Sequence, residues 1–99
     1  MVKHIVMFKL KDSLSVNEKK ACIESFKQAI EDLVNVIDFI RAIRVSGNIN
    51  PDEAWDICLE SEFDSLEDVK RYAVHPAHVA AASLLKDTKE SRACVDFIV

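Results

Sequence analysis

From Lys3 to Leu10 the chain alternates, with His4, Val6, Phe8 and Leu10 on one side and Ile5, Met7 and Lys9 on the other. A period of two with a β-branched and aromatic bias predicts a strand. Its first half is apolar on both sides, so both faces are expected to be covered. The period then changes. Cys22, Phe26, Ala29, Ile30 and Leu33 recur at steps of three and four, while Glu18, Lys20, Glu24, Lys27 and Glu31 lie largely elsewhere. That spacing predicts an amphipathic helix over residues 16–34. Ser15 and Glu18 stand three apart at its start, the pattern of a capping box in which each side chain satisfies one orphan N–H.

Phe39 to Val45 returns to an extended pattern, and Ser46 to Asp52 is turn-rich and holds the single glycine, Gly47. Trp55, Ile57, Leu59 and Phe63 then alternate with Asp56, Cys58, Glu60 and Glu62, so the two strands read as a hairpin. Ser65 is placed to cap a second helix with the inner stripe Leu66, Val69, Tyr72 and Ala73, and acids in its first turn suit the helix dipole. Pro76 disfavours helical geometry at His75 and then fits the first turn of a new helix through Ala77, His78, Ala80, Ala81, Leu84 and Leu85. Arg92 to Val99 alternates again and closes the chain as a strand.

The order β-α-β-β-α-β predicts an α+β, ferredoxin-like domain spanning residues 1–99. Right-handed crossovers place both helices on one face of a four-stranded antiparallel sheet. The other face leaves Ile5, Met7 and further alternate residues without cover. A large apolar surface of this kind predicts a homodimer, with two helix-free sheet faces packed across a two-fold axis into a dimeric α/β barrel.

Composition narrows the function. Apolar residues make up 49% and charged residues 30% of the chain, which excludes disorder. A net charge of -4 with cations and acids interleaved excludes a nucleic-acid-binding face. No apolar run approaches a membrane span, and the opening residues show no signal-peptide core. Cys22, Cys58 and Cys94 form no CxxC pair and sit among apolar neighbours, as free thiols of a reducing compartment do. A cytoplasmic protein is expected. One glycine leaves no phosphate-binding loop, and neither a cofactor nor a metal site is expected; His4, His75 and His78 lack an acid in the same stretch to complete a ligand set.

Three stretches carry a resemblance: Val2-Lys-His-Ile-Val-Met-Phe-Lys9, Phe63-Asp-Ser-Leu-Glu-Asp68, and Tyr72-Ala-Val-His75-Pro76-Ala-His78 followed by a small-residue helix. Together they resemble the stress-responsive A/B barrel (Dabb) family over essentially the whole chain. The resemblance implies a dimeric barrel of ferredoxin-like subunits. One plant member of that family closes a linear polyketide by aldol condensation; its proposed catalytic tyrosine and histidine correspond here to Tyr72 and His78, and a strand-one histidine lining its site corresponds to His4. Two of its pocket positions differ, Ile57 standing for a histidine and Phe26 for a tyrosine.

The candidate site is therefore an apolar pocket between sheet and helices. His4, Val6, Phe8 and Phe26 are expected to line it, with Ile57, Leu59, Val69, Tyr72 and His78. In a catalytic reading His78 is the general base that removes a proton next to a carbonyl, and Tyr72 donates to the oxygen that becomes negative. In a structural reading Tyr72 fills core volume and His78 bonds a nearby carbonyl. The resulting expectation is a homodimer that binds a small apolar or carbonyl-bearing molecule. The alternatives are a cofactor-independent, polyketide-cyclase-like enzyme and a stress-associated structural dimer without a ligand.

Overall fold

In the computed structural model, which describes residues 1–99, four strands and three helices follow the expected order. Strand β1 spans Val2–Leu10, helix α1 Val16–Glu31, β2 Ala42–Gly47, β3 Ile57–Phe63, α2 Leu66–Val74, α3 Pro76–Ala82 and β4 Lys89–Ile98. The sheet order is β2-β3-β1-β4 with every neighbouring pair antiparallel, so the two strands joined by helix crossovers lie inside and outside in the ferredoxin-like way. Fold and class are as the patterning predicts.

The element ends differ for identifiable reasons. Helix α1 stops at Glu31 and tightens into a 3-10 turn over Asp32–Asn35. The Glu31 carboxylate accepts both the Lys27 ammonium (2.6 Å) and the Val45 N–H (3.0 Å), which ties the last helical turn to edge strand β2. Strand β2 begins at Ala42 rather than Phe39, because Ile37 and Ile40 are buried in a turn in which the Ile40 N–H donates to the Ile37 carbonyl. Strand β4 begins at Lys89, three residues before Arg92, and pairs across a register shift between Lys9 and Leu10. The expected capping box forms in full: the Ser15 hydroxyl accepts the Glu18 N–H and the Glu18 carboxylate accepts the Ser15 N–H.

The core lies between sheet and helices. Val6, Phe8 and Leu10 from β1 and Ile57, Leu59 and Phe63 from β3 meet Phe26 and Ile30 of α1 and Val69 and Tyr72 of α2. Each such large side chain, fully buried, contributes about 2 kcal/mol. The helix-free face is less uniform than alternation in β1 implies. On its β1–β4 half Ile5, Met7, Ala93, Val95 and Phe97 form an apolar strip, with Met7 36%, Phe97 43% and Val95 54% exposed. On its β2–β3 half Ala42, Ser46 and Cys58 share the face with charged residues, Arg44 pairing with Glu60 at 3.0 Å and Glu62 with Lys3 of β1 at 3.7 Å.

Candidate functional site

The break between α2 and α3 builds the site. His75 is extended, with φ -63° and ψ 131°, as the residue before Pro76 must be, and its Nδ1 accepts the Ala77 N–H at 3.1 Å. His75 is thus the N-cap of α3. A continuous helix would send Tyr72 and His78, six positions apart, to different azimuths. The break brings their rings to 4.3 Å between centroids, inclined at 47°.

Tyr72 is 1% exposed and lies against Phe63 at 5.1 Å and His4 at 6.2 Å. Its hydroxyl is buried with no hydrogen-bond partner. Burial alone pushes its phenol well above the ordinary value, so the group stays protonated and can donate. His78 donates from Nδ1 to the Ala73 carbonyl at 3.0 Å, since a carbonyl can only accept. That fixes the neutral tautomer and leaves Nε2 with a free lone pair. Burial is the main cause that lowers its pKa; the Ala73 carbonyl acts in the opposite sense, and His4, Arg92 and His75 add smaller lowering effects. The imidazole is accordingly neutral near pH 7.

His4 is buried and donates from Nδ1 to the Asp96 carboxylate at 2.5 Å. The Cys94 thiol stands 3.6 Å from the same nitrogen, and burial pushes that thiol above its usual pKa, Asp96 adding to the effect. His4, Cys94 and Asp96 are the side chains whose donor atoms, within 4.8 Å of one another, could hold a metal; the Asp96 oxygen is here engaged by the imidazole N–H. His75 and His78 are not part of that set.

A half-open cavity of about 110 Å³ lies beside these rings. Seven of the nine expected lining residues surround it, namely His4, Val6, Phe8, Phe26, Leu59, Tyr72 and His78. Ile57 and Val69 do not. Ile57 sits at the far end of β3, opposite Gly47, and borders a depression formed with Met7, Trp55 and Cys58, while Val69 is packed inside the core. The cavity is completed by Ala73, Ala82, Lys89 and Arg92, which the sequence reading did not place there. For Arg92 a signal existed: it shares the alternation of Cys94 and Asp96 and so faces the helices, opposite Phe8. Lys89 had none, because the register shift displaces it from simple alternation.

A four-stranded antiparallel sheet with helices packed on it in the order β-α-β-β-α-β defines the ferredoxin-like class of α+β proteins. Within it, this chain belongs to the Stress responsive A/B Barrel Domain family, whose model matches residues 2–99. It is similar to a dimeric protein of unknown function and ferredoxin-like fold from Bacteroides fragilis, 59% identical with a TM-score of 0.94 over 97% of this chain and 93% of that one. It also matches olivetolic acid cyclase of Cannabis sativa, 27% identical over 97% of this chain and 94% of the cyclase. A third relative is the stress-response A/B barrel domain-containing protein HS1 of Arabidopsis thaliana, 28% identical over 97% of this chain and 87% of that protein.

Proposed function

We propose that the chain acts as a homodimer whose pocket binds a small carbonyl-bearing molecule, with the Tyr72 hydroxyl as its hydrogen-bond donor. The observation that carries this reading is that Tyr72, whose hydroxyl is buried without a partner, lines the cavity. A buried polar group left unpaired is destabilising by about 1–3 kcal/mol, so its retention calls for a partner from outside the chain. A ketone oxygen fits: it accepts, and the rest of the molecule meets Val6, Phe8, Phe26 and Leu59. The dimer forms through the helix-free face, where half-buried Ile5 and exposed Met7, Val95 and Phe97 would otherwise meet water. The dimeric Bacteroides fragilis relative supports the assembly.

Methyl propyl ketone, titrated while the His78 imidazole signals are followed by NMR, tests the pocket. Saturable binding that weakens about fivefold to tenfold in Tyr72→Phe is expected, the loss of one hydrogen bond. Equal affinity of the two proteins would remove Tyr72 from the reading.

A second reading, catalysis, is favoured by one further observation: Nδ1 of His78 is held by the Ala73 carbonyl, which leaves Nε2 as a positioned base. The likeness to olivetolic acid cyclase points the same way, toward aldol- or Claisen-type cyclisation without a cofactor. In such a step the C–H bond next to a carbonyl breaks, Nε2 takes the proton, and Tyr72 donates to the enolate oxygen. Exchange of the ketone's α-hydrogens in deuterated water is then faster with wild type than with His78→Ala by at least a hundredfold. Identical exchange rates would leave only the binding role.

A further inference from the structure

Two cations stand at the cavity and have no acid to neutralise them. Arg41, Arg44 and Arg71 each hold a carboxylate at 2.8–3.0 Å, to Asp64, Glu60 and Asp68 respectively. Arg92 is the fourth arginine of the chain and makes no ion pair. Instead it lines the cavity together with Lys89, whose ammonium lies 6.0 Å from the Phe8 ring centroid and likewise has no carboxylate partner. Other lysines are also unpaired, but Lys89 and Arg92 are the two cations that line this cavity, and Arg92 alone among the arginines holds no carboxylate. The nearby acids are already engaged, Asp96 by the His4 N–H and Glu90 by Lys9 at 2.8 Å. Position on the edge strand explains a surface lysine, but not that both cations share the cavity side of β4, opposite Phe8 and Leu10.

We infer that the Lys89–Arg92 wall is an anion subsite, and that the molecule taken by this pocket is a small oxo acid, with its carboxylate on Arg92 and Lys89 and its ketone oxygen on Tyr72. The inference rests on the carbonyl-binding reading above and adds the charge of the ligand to it. Chemistry supports the division of labour. A planar guanidinium matches a carboxylate through paired N–H donors, and a lysine ammonium adds a mobile point charge. The inner wall, by contrast, is apolar apart from the Tyr72 hydroxyl, the His4 ring and the neutral His78, and suits an uncharged end. The ligand would enter with its charge at the wet rim and its ketone buried.

Three matched probes separate the two parts: methyl propyl ketone carries only the carbonyl, pentanoate only the charge, and levulinate both. With wild type, levulinate is expected to bind about tenfold more tightly than either. In the Lys89→Gln, Arg92→Gln double variant, the advantage of levulinate over the ketone is expected to disappear. Both side chains are exposed, so the variant should fold as wild type does. Tenfold preference that survives the double variant, or equal binding of ketone and levulinate to wild type, would overturn the subsite and leave the pocket reading standing. Binding of neither ketone nor levulinate would overturn both.

Discussion

At the scale of single residues, the site is defined by what its polar atoms lack. The Tyr72 hydroxyl is buried without a partner, so its desolvation is uncompensated in the free protein. Tyr72→Phe removes the orphan oxygen and keeps the ring against Phe63 and His78. We expect stability to be unchanged or raised by about 1 kcal/mol, read from the midpoint of urea unfolding. A loss exceeding that figure would mean that the hydroxyl has a partner within the fold. The imidazole of His78 gives a second expectation. Its pKa in the folded chain lies below the ordinary value of 6.5, chiefly through burial. Near neutrality and above, folded and unfolded chains both carry it uncharged. As pH falls through the unfolded value, the unfolded chain takes up the proton first, so stability is lost over the interval down to the folded pKa. An NMR titration should place the His78 midpoint below 6.5. A midpoint at or above it would contradict the burial that holds the ring neutral.

At the scale of elements, helix ends decide where the chemistry sits. His75 ends α2, and its Nδ1 receives the Ala77 N–H that would otherwise be orphaned at the start of α3. Replacing it with Ala should destabilise the fold by about 1 kcal/mol, and replacing it with Asn, which also accepts there, should restore most of that loss. Thermal melts of the two variants would show it; equal melting would deny the cap. The capping box at Ser15, the Ser65 cap, the Pro76 break and the alternation of β1 and β3 were all legible, because each is a local rule written in nearby residues. So was most of the cavity wall, since alternation in β1 puts His4, Val6 and Phe8 on one side. Other features depend on contacts across the sheet and left no local trace. Lys89 enters the cavity only because the ladder slips between Lys9 and Leu10. Ile57 has the right parity yet the wrong end of its strand, and a one-dimensional pattern does not say how far along a strand the helices leave a gap. A bond from His78 to a nearby carbonyl was expected in the structural reading of the sequence; that the carbonyl is Ala73's, five residues earlier, is set by the bend at Pro76.

At the scale of the whole molecule, the two halves of the helix-free face make different demands. The β2–β3 half pairs its charges, Arg44 with Glu60 and Glu62 with Lys3 of the neighbouring β1, and it tolerates water. The β1–β4 half does not, because Ile5, Met7, Val95 and Phe97 offer no polar atom beyond the backbone. Packing against a second copy should therefore centre on β1 and β4, with the charged half at the rim, the arrangement of apolar centre and polar border common in protein interfaces. A charge placed in the centre acts on assembly and not on the protomer core, since Val95 is 54% exposed before association. Val95→Lys should lower the mass seen by light scattering from two chains to one at micromolar concentration. Arg44→Glu, at the rim, should weaken the dimer far less, since exposed charges contribute little. Assembly also links to stability: a dimer unfolds at a midpoint that rises with protomer concentration, and the Val95→Lys protein should lose that dependence. If Val95→Lys stays dimeric, the second copy sits elsewhere, and the apolar strip needs another partner.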